Sequence, residues 1–319
     1  MKQSLLSVLT KKSLRLLAAL FLVVTSAFSL PQAAQAFPIY AQQAYDSPRE
    51  ANGRIVCANC HLAEKLTQVE VPQAVLPDSV FEAVIKIPYD TNAQQLLGSG
   101  DAGPLNVGAV LMLPDGFKLA PEDRIPEKMQ EEIAGVNFQK YKPDTDNIIV
   151  VGPLPGDQHQ EIVFPVLSPD PATDKNIHFG KYSVHAGGNR GRGQIYPTGD
   201  KTNVNAIAAS AAGQISGISE TNGSYAVTIT KKDGGTVTET IPAGLEMVVS
   251  EGQEVSEGTA LSSDPNVGGF GQKDTEIVLQ NATRIKWLIA FVSAIMISQT
   301  MLVLKKKQVE KVQAAEMNF

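Results

Sequence analysis

Cys57 and Cys60 are the only two cysteines of the chain, and His61 directly follows the second in the run Cys57-Ala58-Asn59-Cys60-His61. Two thiols at this spacing can add across the vinyl groups of one haem, and the adjacent imidazole can then ligate its iron. The competing chemistries fit less well. A thioredoxin-like redox pair usually opens a helix within a βαβ pattern, and the surrounding sequence has no such pattern. A structural zinc site takes four protein ligands, and two cysteines with one sterically tied histidine fall short. A disulfide across so small a loop would remove little entropy from the unfolded chain. The residues therefore predict one covalently attached c-type haem with His61 on its iron. For the opposite axial position, His159, His178, His185 and the 7 methionines remain open from residue types alone.

Elements that would carry such a site to its compartment lie at both ends. Lys2, Lys11, Lys12 and Arg15 precede an apolar run from Leu16 to Leu30, followed by Ala34-Gln35-Ala36. That order is a cleavable signal peptide over residues 1–36, with the mature chain starting at Phe37. Near the other end, Trp287 to Leu304 is apolar without a charge, flanked by Arg284 and Lys286 before it and Lys305-Lys306-Lys307 after it. This segment is long enough to span a bilayer, and its lysines predict that the tail 305–319 stays cytoplasmic or stromal. The span is assigned to residues 285–304.

Between the two apolar segments, residues 37–283 carry 17 basic and 31 acidic side chains, a net charge of −14. A body so acidic is a poor match for nucleic acid and would steer a basic or weakly charged protein toward it. Its texture predicts an all-β architecture of sandwiches or barrels. Short apolar or alternating runs occur at Val80 to Ile87, Gly108 to Leu113, Asn147 to Val151, Glu161 to Val166, Tyr225 to Thr230 and Leu245 to Ser250, closely punctuated by Pro and Gly. Helical periodicity is confined to the membrane span and two short candidates, Cys57 to Leu66 and Pro126 to Ile133. From Ile215 to Leu261 evenly spaced short strands surround Lys232-Asp233-Gly234-Gly235, a pattern similar to the small sandwich of biotinyl and lipoyl carrier domains. Lys231 and Lys232 are read as a solvated hairpin turn, because Asp-Gly is the pair a tight hairpin favours.

Three stretches carry a more specific resemblance. Phe37-Pro38-Ile39-Tyr40-Ala41-Gln42-Gln43, then Gly53-Arg54-Ile55-Val56 leading into the haem motif, and Gly187-Gly188-Asn189-Arg190-Gly191-Arg192-Gly193-Gln194-Ile195-Tyr196-Pro197 resemble the signatures of the cytochrome f family. The resemblance covers essentially the whole mature chain. It implies an elongated, mainly β protein. A large immunoglobulin- or fibronectin-like β-sandwich (37–204 and 268–284) would carry the haem, a small barrel-sandwich-hybrid domain (205–267) would be inserted in it, and one transmembrane helix would follow.

The resemblance also implies one covalent haem c on Cys57 and Cys60, with iron held by His61 and by the free α-amino group of Phe37. Pro38, Tyr40, Pro153, Arg192 and Tyr196 would line the haem pocket. Gln95, Asn189 and Gln194 would hold a chain of internal waters, with Val204 standing where the family has another amide. Such a protein carries electrons and is not itself an enzyme. Implied membrane partners are cytochrome b6, subunit IV and the Rieske iron–sulfur protein of a cytochrome b6f complex in the thylakoid, with the haem domain in the lumen. Gln94, Asp101 and Ala102 replace the basic patch of plant members, which points to a cyanobacterial-type chain. Its acceptor would be a basic or near-neutral plastocyanin or a soluble c-type cytochrome.

Overall fold

In a computed structural model of the protein, residues 38–317 are described. The signal peptide and Phe37 lie outside the described residues.

Two sheets pack face to face. One contains four strands in the order β1 (Gln68–Glu70), β3 (Val80–Lys86), β10 (Glu161–Leu167) and β7 (Lys118–Leu119). The other contains six, in the order β2 (Ala74–Val75), β16 (Gly269–Leu279), β11 (Gly180–Arg190), β6 (Asn106–Met112), β9 (Ile148–Pro155) and β8 (Phe138–Lys140). Strand β3 shows how residue type sets the arrangement. Phe81, Ala83 and Ile85 alternate inward while Glu82, Val84 and Lys86 stay partly exposed, the two-residue period of a sheet with one buried face. Its inward side chains join Leu111, Ile149, Phe164, Val166, Ala186 and Ile277 in one apolar core. Phe138 and Phe164 meet there edge to face, their ring centroids 5.4 Å apart.

A second group of strands, β14 (Thr236–Ile241), β13 (Ser224–Thr230), β12 (Gly213–Thr221) and β15 (Glu254–Val255), forms its own four-stranded sheet around a separate core that includes Ile215, Val227, Ile229, Ile241 and Leu261. Strands β13 and β14 are joined by the tight turn at Lys231 to Gly235, where Gly234 takes φ +85°. The short pair β4 (Gln94–Leu96) and β5 (Ala102–Pro104) also reaches this core through Leu96.

Two expected elements are not formed. Leu245 to Ser250 is irregular, with only Met247 bridging Ser262, because Leu245 and Val249 reach the small core from a loop closed by Gly244 at φ +87° and Gly252 at φ +84°. The proposed helix Cys57 to Leu66 shrinks to a 3-10 turn over Val56–Asn59. Beyond it, backbone bonds between Lys65 and Phe270 and between Phe270 and Ala63 pull the chain alongside β16. Among the described residues the α-helices are α1 (Ile39–Ala44), α2 (Glu127–Glu132) and α3 (Ala282–Glu316). Helix α3 is capped by the Asn281 side chain, which accepts from the Arg284 N–H, and it has no buried residue. Among the described residues it is the one helix long and apolar enough to cross a membrane.

Candidate functional site

The Cys57–His61 segment is built on a turn and a buried anchor. Gly53, at φ +89°, closes a tight turn in which its N–H donates to the Glu50 carbonyl and Glu50 N–H donates to Arg54. Ile55 and Val56 then enter the interior at 1% and 2% exposure, and the Ile55 N–H donates to Gln272 Oε1 at 2.9 Å. Next, the N–H groups of Cys60 and His61 both converge on the Cys57 carbonyl, at 3.2 and 3.0 Å. In a 3-10 turn positions i and i+3 eclipse, so both thiols are presented from one side of the backbone.

Both thiols are free, and burial pushes the Cys57 thiol up to about 12 and raises that of Cys60 as well. Cys57 packs against an apolar cluster of Ile55, Val110, Met112, Tyr141, Val150 and Phe270. Thiols of that kind are poor thiolate nucleophiles, which disfavours a thiol–disulfide enzyme. Burial drives the His61 imidazole down to about 4, so it is neutral at physiological pH. Its Nδ1 is enclosed without a hydrogen-bond partner among the described residues, and its Nε2 is 3.5 Å from Asn189 Nδ2, the outer limit of a hydrogen bond. A partly buried, neutral, under-bonded imidazole beside two same-side thiols is a donor set that suits a c-type haem.

Strand β11 forms the floor beneath this turn. A Cβ at Gly187 would sit 2.4 Å from the Phe270 ring and 3.1 Å from Ile55, so glycine is required there for the close approach. The loop after β11 comes back to the motif. The Gln194 N–H donates to the Cys60 carbonyl at 2.7 Å, and Gln194 Oε1 accepts from Leu62 N–H at 2.8 Å. Gln194 Nε2 in turn donates to Asn266 Oδ1 at 2.8 Å, drawing in a residue that sequence reasoning missed. Asn266 sits in a loop with no periodic signal, and only the fold brings it near.

Of the expected site residues, Cys57, Cys60, His61, Asn189 and Gln194 are therefore brought together. Gln95 and Arg192 form a second layer. Gln95, 4% exposed, accepts from the Arg192 N–H at 2.8 Å, and the Arg192 guanidinium donates to the Leu96 carbonyl and to Asn203 Oδ1. Val204 is 2% exposed within the small apolar core, while its neighbour Asn205 donates to the Gln194 carbonyl at 2.6 Å. Tyr196 is 39% exposed on the Ile195–Lys201 ladder, and Pro153 is half-buried on β9. Pro38 caps α1 and Tyr40 lies on it, exposed. Gln272 and Tyr141, which hold the haem motif and α1, also carried no signal in the sequence.

Comparison with known proteins bears on this site directly. Residues 37–191 match the model of the family described as "Apocytochrome F, N-terminal", and residues 203–319 match "Apocytochrome F, C-terminal". The chain is 84% identical over 319 residues to cytochrome f of Acaryochloris marina, covering 100% of both chains. It is 66% identical to cytochrome f of Synechococcus elongatus, over 97% of this chain and 98% of that one. Cytochrome f of a Nostoc species is also 66% identical, over 92% of this chain and 90% of the relative.

Proposed function

The chain belongs to the cytochrome f family, and we propose that it carries single electrons from the Rieske iron–sulfur protein to plastocyanin or a soluble c-type cytochrome. Family membership makes it a c-type cytochrome electron carrier of the cytochrome b6f complex, a single-pass thylakoid membrane protein rather than an enzyme in its own right. The observation that carries the reading is the neutral His61 imidazole, enclosed with Nδ1 unpartnered immediately after two thiols on one side of a turn.

In this reading Cys57 and Cys60 would hold one haem through their sulfurs. The His61 imidazole and the Phe37 α-amine would be the groups that hold its iron. A bound haem supplies a one-electron iron couple. The amine binds only when deprotonated, and a free α-amine has a pKa of about 7.7–8. Cleavage before Phe37 is a condition for the site, because an amide nitrogen in an uncut chain has no lone pair to give. Two strong protein donors leave no position for substrate, which favours outer-sphere transfer.

Pro38, Tyr40, Pro153, Arg192 and Tyr196 are assigned to the pocket walls. Gln95, Asn189 and Gln194 are assigned to a polar path from the site, and the buried Val204 favours a route through Asn205 and Asn266 instead. The separate apolar core of β12 to β15 supports treating 205–267 as a small domain inserted between 37–204 and 268–284. The acidic body, net −14 over residues 37–283, favours a basic acceptor approaching by electrostatic steering. Lys305, Lys306 and Lys307 after the apolar stretch support a lumenal body with a cytoplasmic or stromal tail. Cytochrome b6 and subunit IV are the further membrane partners.

Acid–acetone extraction tests the attachment. Haem stays with the wild-type polypeptide and passes into the organic phase from the double variant Cys57→Ser, Cys60→Ser. Free extraction from the wild type would exclude thioether attachment, and with it the proposed site.

A further inference from the structure

Tyr141 stands between the two segments the site depends on. Its ring is 2% exposed in the cluster with Ile55, Phe270 and Met112, against which Cys57, Ala58 and Ala41 of α1 also pack. Its hydroxyl lies 2.8 Å from the Ala41 carbonyl and 2.9 Å from the Tyr45 carbonyl, at the end of α1. The neighbouring Lys142 ammonium donates to the Gln42 carbonyl at 2.7 Å. The Gln42 side-chain amide returns the contact by donating to the carbonyls of Lys140 and Tyr141, each at 3.0 Å. The base of this clasp is itself fixed, since Tyr141 N–H donates to the Ile148 carbonyl at 2.8 Å beside the β8–β9 ladder.

Helix α1 needs such a hold. It has six residues, no side-chain N-cap and no buried residue, and a helix so short does not persist by itself in water. The Ala41 carbonyl already accepts the Tyr45 N–H at 3.0 Å, so the Tyr141 hydroxyl adds a second hold at the end of α1 while the Lys142 ammonium supplies the Gln42 carbonyl. Pro38, the N-cap of α1 with φ −52°, directly follows Phe37 in the sequence, and its ring restricts the backbone at that step.

We propose that Tyr141 is a positioning residue for the iron site: it registers α1 against the Cys57–His61 turn and thereby holds the amino-terminal nitrogen in its axial place. This rests on the reading that the Phe37 amine is that ligand. Loosening α1 would leave the haem attached and the body folded while making the amine dissociate more often.

Carbon monoxide binding to the reduced, full-length, haem-loaded protein in detergent reads that dissociation. The wild type is expected to resist carbon monoxide, and Tyr141→Phe to bind it about 5-fold faster, the change that corresponds to one lost hydrogen bond. Ile229→Val, which thins the separate apolar core of β12 to β15, is expected to behave as the wild type. Should Tyr141→Phe not accumulate, Lys142→Met carries the same comparison, because it releases α1 from a half-exposed position. A Tyr141→Phe protein as resistant as the wild type, or an Ile229→Val protein that opens equally, would overturn the positioning role while leaving the ligand assignment intact. Ready binding by the wild type would instead remove the Phe37 assignment, and this proposal with it.

Discussion

His61 illustrates how a single side chain is prepared for one task. Burial keeps its ring neutral, with a pKa down at about 4, and among the described residues Nδ1 has no hydrogen-bond partner. Cys57 and Cys60 are prepared in the same manner, as un-ionised thiols in apolar surroundings rather than reactive thiolates. Tyr141 has a titration consequence of its own. Burial, foremost, raises its phenol above the ordinary tyrosine range, so the unfolded chain releases this proton first. Its contribution to stability is complete below about pH 10 and is lost as pH rises beyond it. Denaturant unfolding at stepped pH from 9 to 11 should show wild-type stability falling more steeply than that of Tyr141→Phe, by up to about 1.4 kcal/mol per pH unit. Parallel slopes would contradict the burial of this hydroxyl.

Strand β11 is the element on which the site rests, and its glycines are its working parts. Gly187→Ala drives a methyl into the Phe270 ring and is expected to destabilise the protein by about 1–3 kcal/mol. Gly180→Ala, on the same strand with nothing within 4 Å of the new Cβ, should stay within about 0.5 kcal/mol of wild type. Thermal or denaturant unfolding of the two variants checks this, and equal effects would contradict the close approach.

The same strand explains what the sequence concealed. Residues 180–190, Gly-Lys-Tyr-Ser-Val-His-Ala-Gly-Gly-Asn-Arg, read as a polar, glycine-rich stretch, because the close approach to Phe270 and Ile55 leaves no room for the apolar side chains that mark a strand. By contrast β3, β9 and β10 were legible, since their inward residues pack against other side chains and must be apolar. At the site, the Cys57–His61 spacing was readable because the proposed thioether attachment would require it. Asn266, Gln272 and Tyr141 were not, because each acts through backbone groups that only the folded topology brings within reach. Leu245 to Ser250 misled for the complementary reason: alternation records which residues face a core, and an irregular segment held by bonds to Leu261 and Ser262 can meet that demand without extending a sheet.

Across the molecule, charge and apolar surface are segregated. The acidic body holds the candidate haem site, and α3 gathers the exposed apolar side chains from Trp287 to Leu304 before its lysines. At about 1.5 Å per residue its 35 residues exceed the roughly 30 Å hydrocarbon layer, so the helix runs on into water beyond Lys305. Such a division tethers an electron carrier by one apolar helix. The idea that joins these levels is an iron enclosed between His61 and a nitrogen exposed only by proteolysis. A crystal structure of the haem-loaded chain, read at the iron, tests it most directly. The expected result is a haem bonded to Cys57 and Cys60, with the His61 imidazole on one face and the Phe37 α-amine on the other. A vacant second face, or a methionine or another histidine in that place, would contradict it.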